Sequence, residues 1–272
     1  MNLLVFDVDA TLVYQGGNIS KPNREAIQSC LDEGDVMAIA SGRESHGIAQ
    51  YLNQFRGSRY AIGANGAAVY DEAGRLLFSN GLPLSDFYEF REAHLSLLKE
   101  GGAIYAYSLD GKVLTEEENP WTDLETRLNH IPVVTLKQHE FLPSDPILKI
   151  MVAGPETLMK DFTPTKEEKS KYHLVRSNPC FVEVLRKGVD KASGVEWLRK
   201  ALSIPTSEVY TFGDEGNDVE MLRSYQGIAM GNAIPEAKAV AKFVTLDVQH
   251  DGVAYAIRHW VKERKDTCTK KN

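Results

Sequence analysis

The stretch Leu3-Leu4-Val5-Phe6-Asp7-Val8-Asp9-Ala10-Thr11 joins an uninterrupted apolar run to a polar cluster that begins where the run ends. A run without polar alternation is typical of a strand covered on both faces, as in a parallel sheet. Asp7 and Asp9 are two positions apart, so an extended backbone would point both carboxylates to the same side. Adjacent carboxylates repel and need a cation or a proton between them. The stretch therefore predicts a buried strand that ends at a charged site, with an ordinary polar strand end as the alternative.

Three further apolar runs are each followed by polar groups. They are Val36–Ala40 before Ser41-Gly42-Arg43, Val209–Phe212 before Gly213-Asp214, and Gly227–Met230 before Gly231-Asn232. Helical spacing lies between the runs, including a helix capped by Ser20 and ended by Gly34, and another over Lys191–Leu202. Strands that alternate with helices predict a Rossmann-like α/β core with a parallel sheet and right-handed crossovers. The polar clusters then share the carboxyl edge of that sheet, where ligands bind in such folds.

The middle of the chain has a different pattern, with amphipathic segments of mixed type. The runs 103–108 and 112–115, joined at Asp110-Gly111, predict a β-hairpin. We therefore expect a core domain formed by 1–81 and 188–272, and an inserted α+β domain over 82–187.

Three other groups carry chemistry at the strand ends. In Gly213-Asp214-Glu215-Gly216-Asn217-Asp218, Asp214 adds a carboxylate, and oxygen ligands of this kind suit Mg²⁺. Ser41 at a helix start offers a hydroxyl and backbone N–H groups to an anion. Lys191 offers a mobile positive charge for phosphate oxygens. Taken singly, each has an ordinary alternative: a turn and cap for Asp214, a helix cap for Ser41, and a solvated surface residue for Lys191.

Taken together, these groups resemble the four motifs of the haloacid dehalogenase superfamily. The matching positions are Asp7-x-Asp9-x-Thr11, Ser41, Lys191 and Gly213-Asp214-x-x-Asn217-Asp218. The long insertion resembles the α/β cap domain of the Cof-type sugar-phosphatase subfamily, and so do Asn65-Gly66-Ala67, Gly231-Asn232 and Asp251-Gly252-Val253. Ala10 departs from the pattern, which usually has Gly there. If that position needs a positive φ, alanine is strained by roughly 1 kcal/mol.

The resemblance implies a role for each motif residue. Asp7 is the expected nucleophile, and Asp9 the general acid and base, whose backbone carbonyl reaches the metal. Asp7 and Asp214 are the expected carboxylate ligands of Mg²⁺, supported by Thr11 and Asp218. The remaining expected contacts are listed by partner: Ser41, Gly42, Lys191 and Asn217 to the phosphate, and Arg43, Asn65 and Asn178 to the rest of the substrate. For the last three, a surface polar residue or a structural cap is an equal alternative.

The resemblance thus implies a Mg²⁺-dependent phosphatase acting on small phosphorylated metabolites, sugar phosphates first, with phosphorylated cofactors still open. A phosphomutase using the same aspartyl-phosphate and a non-catalytic metabolite-binding protein are the two alternatives.

Composition bounds the partners and the location. The net charge of −7 without a dense basic run gives no electrostatic basis for binding nucleic acid or an anionic membrane. Three widely spaced cysteines, Cys30, Cys180 and Cys268, are expected to be reduced thiols in a cytoplasmic protein. We expect no signal peptide, because the apolar start is short, and a frayed charged end over 262–272. The oligomeric state is not predicted.

Overall fold

The computed structural model describes residues 1–129, 131–138 and 140–262. The chain divides into a larger unit, Met1–Arg75 with the chain from Asp190 onward, and a smaller unit, Leu76–Val189. The predicted divisions at 81/82 and 187/188 differ from these bounds by a few residues, and a cap role for the smaller unit stays a prediction. Cys268 and the expected charged end beyond Lys262 lie outside the described residues.

The strands are, in chain order, β1 Leu3–Phe6, β2 Val36–Ala40, β3 Arg59–Gly63, β4 Ala68–Tyr70, β5 Leu76–Ser79, β6 Leu82–Pro83, β7 Ala103–Ser108, β8 Val113–Thr115, β9 Val133–Thr135, β10 Pro146–Ala153, β11 Tyr172–Asn178, β12 Phe181–Arg186, β13 Val209–Gly213, β14 Gln226–Ala229 and β15 Phe243–Val244. The α-helices are α1 Lys21–Asp32, α2 Ser45–Leu52, α3 Leu84–Ala93, α4 Leu95–Lys99, α5 Pro120–Asn129, α6 Glu156–Asp161, α7 Lys166–Lys171, α8 Lys191–Ala201, α9 Val219–Ser224, α10 Pro235–Val240 and α11 Gly252–Ala256.

In the larger unit the strands run in the order β15-β14-β13-β1-β2-β3-β4. All neighbours are parallel except β3 and β4, which form an antiparallel pair. Every residue of β1, β2 and β13 is buried, as the apolar runs predict for strands covered on both faces. The predicted Rossmann-like parallel core is confirmed.

Local sequence signals set the ends of the helices that frame this sheet. Ser20 caps α1 by accepting a hydrogen bond from Asn23 N at 3.3 Å, and Gly34 follows the helix with φ of 88°. Asp190 caps α8 in a reciprocal pair with Ser193, at 2.8 and 3.1 Å. This cap fixes the start of α8, so its first residue, Lys191, has a defined position at the sheet edge.

The smaller unit is built on a mixed sheet in the order β11-β12-β10-β7-β8-β9, with β6 paired to β10. The predicted hairpin is present as β7 and β8, and Gly111 in its turn has φ of 77°. One apolar cluster joins the sheet to α3 and α4; its members include Phe87, Phe90, Leu97, Ile104, Ile150 and Val184. The predicted α+β character of this segment is confirmed.

Within the described residues, the helices are all too short or too polar to cross a bilayer. The cytoplasmic location stays a prediction.

Gly66 is expected to be the most sensitive glycine of the larger unit. It has φ of +99°, and a Cβ there would lie 1.9 Å from the carbonyl oxygen of Asp190, at the start of α8. Gly66→Ala therefore combines an unfavourable backbone with overpacking, which together cost about 3 kcal/mol. Gly74→Ala is the matched control, since φ is +76° and nothing lies within 4 Å. Urea unfolding of both variants is the measurement, and equal losses would contradict the steric argument.

Candidate active site

Three neighbouring strands end at the same edge of the larger unit's sheet. Phe6 of β1 lies in register with Ile39 of β2 and with Phe212 of β13. The next residues along the chain are therefore brought together at the carboxyl edge. Asp7 N donates to the Phe212 carbonyl at 3.0 Å, which fixes the backbone of Asp7 beside β13.

The Lys191 ammonium lies between two carboxylates. Its Nζ donates to Asp7 Oδ1 and to Asp218 Oδ1, both at 2.6 Å. The side chains of Lys191 and Asp218 are fully buried. A buried lysine needs such partners because an unpaired charge in the interior is costly. The sequence alternative for Lys191, a solvated surface residue, is therefore wrong.

Asp7, Asp214 and Asp218 form an acidic cluster in which one oxygen from each lies within 4.8 Å of the others. Thr11 Oγ1 donates to Asp214 Oδ1 at 2.8 Å, which orients that carboxylate. Asp218 Oδ2 accepts from the backbone N–H groups of Asp214 and Glu215 at 2.9 and 3.0 Å. Thr11 and Asp218 thus hold the other members of the site in place.

Burial makes this cluster electrostatically costly. It raises the pKa of Asp7 to about 8, although the Lys191 ammonium acts in the opposite direction. It raises the pKa of Asp214 to about 7, against the hydrogen bond from Thr11. Burial lowers the pKa of Lys191, but the charges of Asp218 and Asp7 outweigh it and hold that pKa above its usual range. Negative charge exceeds positive charge among these groups.

These residues fit a hard divalent cation. All three groups offer carboxylate oxygens, which such ions prefer. A second positive charge beside Lys191 would favour the ionised forms of Asp7 and Asp214, against the burial and the neighbouring carboxylates that raise their pKa values. The cluster can therefore hold a metal ion on chemical grounds.

Asp9 lies outside this cluster and is paired with Arg43. The guanidinium donates to Asp9 Oδ1 and Oδ2, both at 2.9 Å from Nη2, and from Nε to Oδ2 at 3.3 Å. The Asp9 side chain is 58% exposed. Burial lowers the pKa of Arg43, but the Asp9 carboxylate outweighs it and raises that pKa overall. Arg43, predicted as a substrate contact, thus touches the expected general acid directly.

Ser41 belongs to a second group of contacts, which also includes Asn65 and Asn217. The Ser41 carbonyl accepts from Asn65 N at 2.9 Å, and Asn217 Nδ2 donates to Asn65 Oδ1 at 3.0 Å. Asn65 lies in a left-handed turn over Ala64–Gly66, with φ of 51°, and is buried. Ser41 Oγ accepts a hydrogen bond from Arg43 N at 3.2 Å. Gly42, between these two residues, is half-buried. Asn65 therefore links the second and fourth motifs.

Asn178 belongs to the smaller unit. It ends β11, is exposed, and its Oδ1 accepts from Cys180 N at 2.7 Å. This contact is a turn cap, which was the structural alternative for Asn178 in the sequence.

Asn232 is a positioning residue to which the sequence analysis gave no role. Its Nδ2 donates to the Ala10 carbonyl at 2.9 Å, and its Oδ1 accepts from Val248 N at 2.9 Å. It thereby ties the turn after Asp9 to a loop near the other end of the chain. The sequence carries a signal for this residue, because Gly231-Asn232 directly follows a buried strand, just as Gly213-Asp214 does.

Comparison with known proteins supplies the family. A sequence profile described as haloacid dehalogenase-like hydrolase matches residues 4–257. The chain belongs to this family.

The relatives extend over nearly the whole chain. HMP-PP phosphatase of Serratia proteamaculans is 25% identical over 277 residues, which are 96% of this chain and 95% of the relative. A haloacid dehalogenase-like hydrolase of Bacteroides thetaiotaomicron is 28% identical, with a TM-score of 0.77 over 94% of this chain and 98% of that one. The subclass IIB sugar phosphatase BT4131, at 23% identity and a TM-score of 0.75 over 96% and 99%, shares the fold. The predicted family and the assignment to phosphatases are confirmed; the Cof-type branch and the residue roles stay predictions.

Ala10, in the first motif, has a strained backbone conformation that a substitution can test. Its φ is 59°, so the positive φ considered from the sequence is present. Ala10→Gly should raise the free energy of unfolding by about 1 kcal/mol, because glycine has no Cβ to strain. Ala239→Gly in α10 is the control and should lower stability by about 0.5–1 kcal/mol. Urea unfolding measures both, and a loss of stability at position 10 would contradict the strain.

Proposed function

We propose that this chain is a Mg²⁺-dependent phosphomonoester hydrolase that acts on small phosphorylated metabolites through an aspartyl-phosphate on Asp7. The observation that carries the proposal is the Lys191 ammonium, which is buried between Asp7 and Asp218 at 2.6 Å from each. A buried cation at a sheet edge, among carboxylates from distant parts of the chain, is suited to balancing the charge of a phosphoryl group.

In the first step a carboxylate oxygen of Asp7 attacks phosphorus, and the bond from phosphorus to the ester oxygen breaks. The leaving oxygen takes a proton from Asp9, so the alcohol departs neutral. In the second step water attacks the phosphorus of the aspartyl-phosphate, the bond from phosphorus to the Asp7 oxygen breaks, and the water gives a proton to Asp9. Inorganic phosphate leaves, and both aspartates return to their starting state.

Arg43 orients Asp9 in this structure. Its bidentate contact holds the Asp9 carboxylate in one orientation, and bidentate pairs of this kind add geometric specificity to the attraction. Because Asp9 is exposed while Asp7 is buried, the two carboxylates have different environments. Burial alone would favour a proton on Asp7, so the proposed nucleophile role depends on the positive charge that Lys191 places beside that carboxylate.

The remaining motif residues bind and orient. Lys191, Ser41, Gly42 and Asn217 would contact phosphoryl oxygens. The carboxylates of Asp7 and Asp214 and the backbone carbonyl of Asp9 would hold Mg²⁺.

The expected contribution of Mg²⁺, when bound, is positive charge against the phosphoryl oxygens. Two residues act behind its ligands: Thr11 orients the Asp214 carboxylate, and Asp218 holds the Lys191 ammonium.

For the substrate we propose sugar phosphates as the leading class. The fold shared with the sugar phosphatase BT4131 supports this choice. Arg43, Asn65 and Asn178 stay candidates for substrate contact, and the cap role of the smaller unit belongs to the same proposal. We also propose a cytoplasmic location.

Asp7→Asn is expected to reduce phosphate release by about four orders of magnitude, because an amide is a far weaker nucleophile than a carboxylate. Inorganic phosphate released from a panel of sugar phosphates is the measurement, with mass spectrometry to show that position 7 stays an amide. Asp32→Asn, at an exposed position of α1, is the matched control and should retain activity. Near-normal release by a folded Asp7→Asn variant would refute the nucleophile, and isomerised sugar phosphate without released phosphate would indicate a mutase.

Mg²⁺ is expected to raise the melting temperature by a few degrees, because a ligand that binds the folded state and not the unfolded chain stabilises the fold, by an amount that grows with the logarithm of its concentration above Kd. Asp214→Asn should lose most of this shift, whereas Asp32→Asn should keep it. Differential scanning fluorimetry with and without EDTA is the measurement, followed by phosphate release in the same samples. An EDTA-treated enzyme that hydrolyses at the full rate would remove the metal from the proposal.

A further inference from the structure

A cavity of about 410 Å³ lies within the smaller unit, apart from every residue assigned to the reaction. It lies beside β11, the last strand on one side of that unit's sheet. Its apolar lining includes Phe162, Tyr172, Leu174 and Val182. A volume of this size is in the range of pockets that hold small organic molecules, and a mostly apolar lining with a few polar groups is typical of them.

The charged groups of this cavity all have one sign. Lys169, Arg176 and Lys187 line it, and none of its lining residues is acidic. The unit as a whole is acidic, with 13 Lys and Arg against 17 Asp and Glu over 76–189. The positive charge of the cavity is therefore a local concentration, opposite in sign to the unit that contains it.

Two of these cations, Arg176 and Lys187, donate to backbone carbonyls rather than to carboxylates. Arg176 Nη2 donates to the Met159 carbonyl at 2.9 Å, and Lys187 Nζ donates to the Lys169 carbonyl at 2.8 Å. By contrast Lys171, in the same helix as Lys169, pairs with Asp86 and Glu89. Among the residues that the structure describes, no carboxylate pairs with Lys169, Arg176 or Lys187. The Arg176 and Lys187 charges are thus oriented, and none of the three cations is paired with a carboxylate of the described residues.

The cavity wall is also braced. Phe162 packs against the His94 ring with centroids 5.2 Å apart, and His94 Nε2 lies 2.6 Å from Glu168 Oε1. His173, another lining residue, donates from Nδ1 to the Val189 carbonyl at 2.5 Å. An apolar lining held in place, together with positively charged lining residues, is preorganised for a ligand of complementary character.

We propose that this cavity is an accessory binding site for a small organic anion with a flat apolar body. The aromatic and aliphatic lining takes the body, and the guanidinium of Arg176 with the Lys187 ammonium takes the anionic group. Guanidinium forks match carboxylate, sulfonate and phosphate oxygens alike, so the shared chemistry is an aryl or heteroaryl acid. The site is independent of the phosphatase reaction, since none of its residues is assigned to it.

The test uses 2-naphthoate, which contains no phosphorus, and its neutral analogue 2-naphthamide, with titration calorimetry on the full chain. Naphthoate should bind the wild-type protein, and the amide should bind about tenfold more weakly because it lacks the charge. The double variant Arg176→Gln, Lys187→Gln should weaken naphthoate binding about tenfold or more. The matched double variant Arg91→Gln, Lys99→Gln removes the same two charges elsewhere in the unit and should bind as the wild type does.

The substitution Arg176→Gln removes a contact to Met159 and could impair folding, so Lys187→Glu is a second variant that keeps this contact. It reverses one exposed charge and should also weaken naphthoate binding. The proposal is overturned if naphthoate does not bind at about 10 mM, if the amide binds equally well, or if the two double variants behave alike. It is also overturned if inorganic phosphate with Mg²⁺ displaces the naphthoate, or if Asp7→Asn abolishes its binding, because either result places the probe in the active site. Naphthoate binding is expected to be the same in Asp7→Asn as in the wild type, even though Asp7→Asn loses phosphatase activity. The accessory site and the phosphatase mechanism can therefore be refuted independently.

Discussion

The contact on which the site depends is the buried Lys191 ammonium between Asp7 and Asp218. A lysine with no exposure to water is stable as a cation only if its partners compensate for lost hydration. Asp7 follows β1, and Asp218 follows β13 in the turn that leads to α9. The cap at Asp190 places Lys191 at the start of α8. The ion pairs therefore require correct packing of the sheet and of α8, and the Gly66 backbone packs directly against Asp190.

A second buried pair, in the smaller unit, shows what is different about the first. Lys149 and Glu183 lie 2.9 Å apart with side chains 4% exposed, and the ammonium sits 4.6 Å from the centre of the Tyr107 ring. That ammonium has a carboxylate and an aromatic ring as its neighbours. At the sheet edge, Lys191 lies among three carboxylates, and burial, with the neighbouring carboxylates adding to it, raises the pKa values of Asp7 and Asp214. A structural ion pair needs only balance, whereas an excess of buried negative charge calls for a further cation.

Much of this arrangement could be predicted from the sequence, because its signals are local. Unbroken apolar runs fixed the strands, and polar residues at their ends placed Asp7, Ser41 and Asp214 at one edge. What escaped prediction depends on side-chain contacts between distant segments. Arg43 forms a bidentate contact with Asp9, and Asn232 donates to the Ala10 carbonyl. These residues are far apart in the sequence, so no helix or strand periodicity predicts that they meet. The positive φ at Ala10 could not be predicted from the residue itself, since alanine does not indicate a left-handed backbone.

The order of strands has a consequence for synthesis on the ribosome. β1 is made first but lies between β2 and β13, and Thr11 meets Asp214, its hydrogen-bonding partner, across 203 residues of chain. One side of an entirely apolar strand thus stays without its neighbour until the smaller unit has been translated. An unpaired strand edge invites pairing with other chains. Nascent molecules are therefore expected to depend on early burial by α1 and β2, or on a chaperone, during that interval.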